Sequence, residues 1–219
     1  MCIRDSYGTA VFEGIRGNWN PEKNKMFVFR LKEHYERLIK GCKILNMDIN
    51  YSVEELCDIT INLIKESGYK EDIYIRPLAY KSEEKVANLK LHELESDFAL
   101  MIVPFGNYID NEKPIRCQTS SWRRPHDSMM PTGVKLSGLY TTSILAKTEA
   151  TMAGFDEAIL LNFDGSVSEG SGENLFMLRD GNLVTPSETE NCLLGITRDC
   201  VFEIASKEFG MEISSRKIH

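Results

Sequence analysis

The stretch Asp156-Glu-Ala-Ile-Leu-Leu-Asn162 determines the fold class, because different kinds of secondary structure flank it. Its apolar centre predicts a buried strand, and Asp164-Gly165 directly after it predicts a hairpin turn. The preceding residues, from about 141 to 153, predict a helix that ends at Gly154. A helix next to a hairpin in so short a segment indicates an α+β fold rather than a regular βαβ alternation.

The same mixture continues toward the C-terminus. Asp180-Gly181 predicts a second hairpin, and residues 197–209 predict a helix that ends at Gly210. The string Leu194-Gly-Ile-Thr-Arg198 forms the start of that helix, where free backbone N–H groups and the helix dipole suit a phosphate. An ordinary helix start without a ligand is the alternative.

The first half of the chain predicts two helices and several strands. One helix carries apolar side chains at helical spacing from Leu31 to Leu45. A second helix begins at Ser52, which forms a capping box with Glu55, and it ends at Gly68. Strands are predicted at 26–30, 72–80, 97–104 and 115–120.

Residues 105–113 predict a linker, because Gly106 and turn-forming residues, flanked by Pro104 and Pro114, interrupt the strand and helix patterns there. We therefore predict a small N-terminal α+β domain over 1–104 and a larger domain over 114–219.

The composition is that of a globular protein, with 42% hydrophobic residues, 27% charged residues and a formal charge of -7. The negative charge argues against nucleic acid or an anionic membrane as a partner. The six cysteines have no Cys-x-x-Cys spacing, and the four histidines form no ligand-spaced pair. We therefore expect free thiols, no bound metal and a cytoplasmic location.

Three polar residues have surroundings that are unusual for their type. Lys135 lies among small and apolar residues, where partial burial would favour a neutral, nucleophilic amine over the solvated state usual for lysine. Arg76 interrupts an apolar strand and faces either a ligand carboxylate or solvent. Glu169 opens the string Glu169-Gly-Ser-Gly-Glu-Asn174, for which a turn flanked by solvated carboxylates is the simpler interpretation.

Six strings together resemble the class IV, or fold-type IV, pyridoxal-phosphate aminotransferases, and most of all the branched-chain amino acid aminotransferases. They are Tyr7-Gly-Thr-Ala-Val-Phe-Glu-Gly-Ile-Arg16, Phe29-Arg-Leu-Lys-Glu-His-Tyr-Glu-Arg-Leu38, Tyr74-Ile-Arg-Pro-Leu78, Lys135 to Tyr140, Glu169 to Phe176 and Gly195-Ile-Thr-Arg-Asp199. They occur in family order and at family-like spacing. The resemblance implies a two-domain fold like that of D-amino acid aminotransferase, pyridoxal 5'-phosphate (PLP) as cofactor, and a homodimer or larger homo-oligomer.

The resemblance also implies roles around the cofactor. Lys135 matches the lysine that binds PLP covalently and then moves a proton at the substrate α-carbon. Glu169 matches the carboxylate that keeps the pyridine nitrogen protonated, and Tyr140 matches the tyrosine that hydrogen-bonds the phenolic oxygen. Further cofactor positions, at the phosphate or the ring, are Arg37, Leu193, Ile196 and Thr197.

The substrate side is implied in the same way. The residues that match aromatic positions around the side-chain pocket are Tyr7, Phe12, Phe105 and Tyr108. Tyr74 and Arg76 match positions that bind carboxylates. The implied reaction transfers the amino group of L-leucine, L-isoleucine or L-valine to 2-oxoglutarate, which yields branched 2-oxo acids and L-glutamate.

Other activities stay open at this point. A D-amino acid aminotransferase and an aminodeoxychorismate lyase share the fold, and a non-catalytic truncated fragment is the third alternative. The strings Phe12 to Arg16 and Tyr74 to Leu78 favour the branched-chain branch. Compared with the family, Met1 to Ser6 looks foreign and the chain stops at His219 before the C-terminal strands and helix. We therefore expect truncation at both ends and an incomplete C-terminal domain.

Overall fold

The computed structural model describes residues 6–106 and 113–219. These residues divide into two compact units: 6–106 with Val134–Gly138, and 113–133 with 139–219. The predicted second domain was continuous from 114, whereas Val134–Gly138 groups with the first unit. The reason is backbone pairing, because Leu136 forms an antiparallel bridge with Val11.

An antiparallel five-stranded sheet is the frame of the first unit. Its strands are β1 (Ala10–Phe12), β2 (Ile15–Asn20), β3 (Lys25–Val28), β4 (Ile73–Lys81) and β5 (Ser96–Pro104). β5 pairs along the whole of β4, β1 and β2 share the other edge of β4, and β3 pairs with β2. Alternate residues of β4 are buried, so this strand has one face toward the core.

Two helices follow from local sequence signals. They are α1 (Leu31–Ile44) and α2 (Val53–Ser67). The predicted capping box is confirmed, since Ser52 Oγ accepts a hydrogen bond from Glu55 N while Glu55 Oε2 accepts one from Ser52 N. Gly68 ends α2 in the left-handed conformation, with a φ of 66°.

The core of the first unit lies between α2 and the sheet. Its fully or nearly fully buried members are Ile15, Ile64, Ile73 and Ile75. Each such side chain stabilises the fold by about 1.5–3 kcal/mol relative to an exposed one. The central strands are thereby fixed, and the residues at their ends have defined positions.

The second unit contains a parallel pair and a hairpin. Its first elements are β6 (Cys117–Arg123), α3 (Tyr140–Met152), β7 (Glu157–Leu161) and β8 (Val167–Gly170). β6 and β7 are parallel, and β8 returns antiparallel to β7 through the predicted turn, where Gly165 has a φ of 86°. The core between α3 and this sheet is formed by Ala146, Ala150, Ala158 and Leu160.

A second small sheet follows in the same unit. Its elements are β9 (Met177–Arg179), β10 (Asn182–Thr185), α4 (Ile196–Phe209) and β11 (Ile213–Ser215), and β11 is parallel to β10. The predicted hairpin between β9 and β10 is confirmed, with positive φ at both Asp180 and Gly181. Gly210 ends α4 as predicted, with a φ of 59°.

The predicted α+β class is confirmed, because antiparallel sheets and helices occur in both units. The predictions omitted β1, β2 and β11, of which β1 and β11 have only three residues each, too few to show a two-residue alternation. Short 3-10 helices at Leu91–Glu93 and Ser137–Leu139 were also omitted. Across 6–106 and 113–219, no helix has both the length and the apolar character needed to cross a bilayer.

Candidate active site

Lys135 lies on an extended segment that pairs with β1 in the first unit. Its carbonyl oxygen accepts a hydrogen bond from Phe12 N at 3.1 Å, and its neighbours Val134 and Leu136 are 5% and 6% exposed. The Lys135 side chain is half-buried, and Nζ lies 5.1 Å from the centre of the Phe12 ring. The amine is therefore held against an aromatic surface by a fixed backbone.

Arg76 contacts the same aromatic ring from β4. Its guanidinium carbon lies 4.5 Å from the centre of the Phe12 ring and 5.0 Å from that of Tyr74, and Nη2 donates to Tyr74 OH at 2.8 Å. The Phe105 ring is 5.3 Å from the Tyr74 ring. Arg76 Nε is buried and has no hydrogen-bond partner among the residues that the structure describes. A buried donor without a partner is costly, so this atom suits a ligand acceptor.

Gly14 makes room for Tyr74. A Cβ atom on Gly14 would lie 2.2 Å from the Tyr74 hydroxyl oxygen, far inside van der Waals contact. The Tyr74 hydroxyl is in turn the acceptor for Arg76. The glycine between β1 and β2 thus fixes the position of the aromatic and arginine pair.

Glu13 forms a buried ion-pair cluster with two residues of α1. Arg37 donates from Nε to Oε1 and from Nη2 to Oε2, both at 2.7 Å, and His34 Nδ1 lies 2.7 Å from Oε2. Burial alone would raise the pKa of Glu13, but the hydrogen bonds from His34 and Arg37 outweigh burial and lower it. The cluster gives Arg37 a fixed orientation.

Two of the predicted tyrosines, Tyr7 and Tyr140, belong to different units. Tyr7 belongs to the first unit but is 44% exposed. Tyr140 is the first residue of α3 and is half-buried in the second unit. Tyr108 lies outside the described residues.

Glu169 on β8 forms a buried ion pair in the second unit. Arg124 Nη2 lies 2.9 Å from Glu169 Oε1, and the two side chains are 5% and 8% exposed. Leu193 N donates to Glu169 Oε2 at 2.9 Å, and Asn174 Nδ2 lies 3.4 Å from it. The interpretation of Glu169 as a solvated carboxylate is therefore wrong, because the arginine and the neutral donors replace water around it.

The loop before α4 is attached to the same pair. Asn174 Nδ2 donates to Leu193 O at 2.7 Å, and Arg124 Nε donates to Asn191 O at 3.1 Å. Both backbone polar groups of Leu193 are thus occupied, the N–H by Glu169 and the carbonyl by Asn174. The ion pair and the loop form one connected network.

Ile196 and Thr197 open α4, as predicted, with Ile196 buried and Thr197 exposed. Gly195 is the N-cap, and it provides no side-chain hydrogen bond to the first turn. A Cβ atom on Gly195 would lie 2.2 Å from Asn174 Oδ1, so the backbone and the asparagine approach as only glycine allows. First-turn N–H groups and the helix dipole together favour an anion at this end.

The sequence reasoning missed Glu13, Arg124 and Asn174 as site residues. Asn174 was present in the quoted glycine-rich string, and Glu13 stands between Phe12 and Gly14 in another. Arg124 belongs to the pair Arg123-Arg124, whose shortness made it look like ordinary surface charge. A usable signal was the apolar and proline context of that pair, Trp122 to Pro125.

Known proteins resemble this chain closely in sequence and structure. A probable branched-chain-amino-acid aminotransferase of Aquifex aeolicus is 47% identical over 212 residues, which are 97% of this chain and 68% of that protein. A crystal structure of a branched-chain aminotransferase from Thermoproteus uzoniensis with norvaline superposes with a TM-score of 0.94 at 43% identity. That match covers 99% of this chain and 71% of the other.

A second solved structure and a family match agree with these relatives. The crystal structure of the branched-chain amino acid aminotransferase of Thermobaculum terrenum, in its PLP form, superposes with a TM-score of 0.92 at 34% identity. That match covers 100% of this chain and 72% of the other. The sequence profile described as amino-transferase class IV matches residues 10–219. The lysine, the glutamate and the helix start described above all lie within that match. This chain belongs to the class IV aminotransferase family.

Proposed function

We propose that this chain is a PLP-dependent branched-chain amino acid aminotransferase. It transfers the amino group of L-leucine, L-isoleucine or L-valine to 2-oxoglutarate and yields branched 2-oxo acids and L-glutamate. The names of the Aquifex aeolicus and Thermoproteus uzoniensis relatives support this substrate class. The observation that carries the proposal is Lys135, an amine held half-buried against Phe12 by a paired backbone.

The chemistry of the donors fits PLP, which offers an aldehyde, a ring nitrogen, a phenolic oxygen and a phosphate. Bound PLP supplies a carbonyl for the amino group and an electron-poor ring that takes up the charge left at the α-carbon. Glu169 would hold the ring nitrogen, Tyr140 the phenolic oxygen, and Leu193 would pack on the ring. The phosphate would bind to Arg37, Ile196 and Thr197. The uncapped start of α4 and the fixed Arg37 support the phosphate assignment.

Lys135 is the proposed catalytic residue. Its Nζ is the amine that would hold the aldehyde carbon of PLP, with water as the leaving group, and it would become free when the substrate amine takes its place. As a neutral amine, Nζ would then move the proton from the substrate α-carbon to C4′ of the cofactor, and it would move a proton in the opposite direction in the second half-reaction. The half-buried position beside an aromatic ring supports this role, because desolvation favours the neutral amine.

Substrate recognition is proposed for the aromatic cluster. Arg76 and Tyr74 would bind a carboxylate, which is supported by Arg76 Nε, a buried donor without a partner in residues 6–106 and 113–219. Phe12 and Phe105 would form the dry surface for a branched side chain, with Tyr7 and Tyr108 completing it. Because glutamate carries a second carboxylate, the arginine would let one pocket accept both amino donors.

Two wider proposals accompany the enzymatic one. A homodimer or larger homo-oligomer is proposed from the family resemblance. A cytoplasmic location is proposed because the cysteines at 42, 57, 117, 192 and 200 are free thiols.

Absorbance spectroscopy tests the function directly. The purified chain with PLP should show the absorption band of lysine-bound cofactor, and a Lys135→Ala variant should not. L-leucine should remove the band, whereas D-alanine should leave it, which separates this activity from that of a D-amino acid aminotransferase. A band that persists in Lys135→Ala would overturn the assignment of the lysine, and one that responds to D-alanine alone would overturn the substrate class.

A further inference from the structure

The buried ion pair in the second unit determines more than local stability. We propose that Arg124 is a positioning residue that keeps Glu169 ionised and oriented, so that the ring nitrogen of PLP stays protonated. The inference rests on the proposed function, because it takes Glu169 as the partner of that nitrogen. It adds a residue that would act through its contact with Glu169.

The burial of Glu169 makes its charge depend on a nearby cation. The residue is 6% exposed, and a carboxyl group in such surroundings prefers its neutral form unless a cation compensates. Arg124 is that cation, because its guanidinium Nη2 lies 2.9 Å from Oε1. The contacts from Leu193 N and Asn174 Nδ2 come from neutral groups. Of these three donors, Arg124 is therefore the one that carries a full positive charge.

Arg124 also influences whether the ring nitrogen or Glu169 carries the proton that they would share. A ring nitrogen held by Glu169 would share one proton with the carboxylate. The proton on the ring gives an ion pair, and the proton on Glu169 gives a neutral pair. Moving the proton onto Glu169 would discard the attraction between Arg124 and the carboxylate. Arg124 contacts the Glu169 carboxylate directly, at 2.9 Å, so its attraction to the ionised carboxylate would exceed its repulsion of a protonated ring that Glu169 would hold. Arg124 thus favours the proton on the ring.

The contacts of Arg124 also fix the orientation of the Glu169 carboxylate. Arg124 N donates to Leu161 O at 3.0 Å, which anchors its backbone to the end of β7. Its side chain bridges Glu169 and the carbonyl of Asn191, while Leu193 N holds the other carboxylate oxygen. Each oxygen of Glu169 has its own donor, so the plane of the carboxylate is fixed before any ligand binds.

The test measures the ring proton itself. PLP labelled with 15N at the ring is bound to the parent, Arg124→Gln, Arg124→Lys and Glu169→Gln chains, and the 15N chemical shift is recorded. Glutamine keeps hydrogen-bonding groups for Glu169 and Asn191 but removes the charge, whereas lysine keeps the charge. Glu169→Gln serves as the reference for a ring without an anionic partner.

We expect the 15N chemical shift of a protonated ring in the parent and in Arg124→Lys. In Arg124→Gln we expect the 15N chemical shift to move toward the value of the unprotonated ring in Glu169→Gln. An Arg124→Gln chain with the parent's shift would overturn the inference. If Arg124→Gln does not fold, the pH dependence of Arg124→Lys decides. Its ring should lose the proton at a lower pH than the parent's, as the lysine itself deprotonates, and an identical pH profile would overturn the inference.

The absorption band of lysine-bound cofactor keeps the two proposals separate. A band in the parent that Lys135→Ala lacks, together with an unchanged 15N shift in Arg124→Gln, would overturn only the role of Arg124. A parent chain without that band would overturn the proposed function and this inference with it.

Discussion

Replacing Glu13 by glutamine removes a charge from the middle of a buried cluster while preserving the shape of the side chain. Glu13 is completely buried and accepts two hydrogen bonds from Arg37, with His34 Nδ1 at 2.7 Å. The amide of glutamine carries one acceptor oxygen and one NH2 group. In Glu13→Gln the NH2 group of the new side chain therefore faces a nitrogen of Arg37 or His34, where a carboxylate oxygen had accepted a hydrogen bond.

The expected loss of stability follows from the burial of the pair. Removing one partner of a buried ion pair costs about 3–5 kcal/mol, because the other charge stays behind without compensation. The Arg37 side chain is 16% exposed, so water can solvate part of the abandoned guanidinium. We therefore expect Glu13→Gln to lower the free energy of unfolding by about 3 kcal/mol, the low end of that range.

The loss depends on pH in a defined direction. The folded-state pKa of Glu13 lies below its usual value of 4.5, so the unfolded chain takes up a proton at higher pH than the folded chain does. The stabilisation is complete above the unfolded pKa and is lost as the pH falls through the folded one. The stability difference between parent and Glu13→Gln should thus be constant near neutrality and shrink below pH 4.5.

Urea unfolding of the PLP-free chain at pH 7 measures this loss. The matched control is Glu203→Gln, which breaks an exposed pair with Lys207 whose side chains are 45% and 68% exposed. That control should lose at most about 0.5 kcal/mol. The reasoning is refuted if Glu13→Gln loses no more than Glu203→Gln while the urea dependence of both variants equals that of the parent.

Three further outcomes are expected. In thiol labelling of the folded chain followed by peptide mass mapping, Cys117 should react well before Cys42. Cys117 is exposed, whereas Cys42 is buried and burial raises its pKa to about 11. Equal labelling rates would contradict this. Gly14→Ala should raise KM more than it lowers kcat in steady-state kinetics, since the added methyl group displaces the hydroxyl of Tyr74, and an unchanged KM would argue against that contact. Arg76→Met should raise KM for glutamate more than for leucine, and equal changes would argue against recognition of the second carboxylate.

Elements with local chemical signals were predictable from the sequence. The start and end of α2 follow from Ser52, Glu55 and Gly68, which act within one or two turns of each other. The start of α4 at Gly195 was found for the same reason. Lys135 stood out because a lysine among small and apolar residues is unusual, and its half-buried position agrees with that context.

The two buried ion pairs were beyond the sequence reasoning because they join residues far apart in the chain. Glu13 contacts α1, and Arg124 contacts β8, so neither pair shows a spacing pattern. Charged residues are nearly always solvated, and that expectation made Glu169 look like part of an exposed turn. Only the positions of the strands show that these carboxylates lie inside.

The pairing of Leu136 with Val11 has a consequence for protein synthesis. The strand that carries Val11 and Phe12 leaves the ribosome early, whereas the segment that completes its edge belongs to a much later part of the chain. The first unit therefore cannot finish folding as an independent N-terminal domain during translation. Until Lys135 emerges, the Phe12 N–H group on that side lacks its acceptor and stays available to other strands, so the nascent chain carries a temporary risk of misassociation.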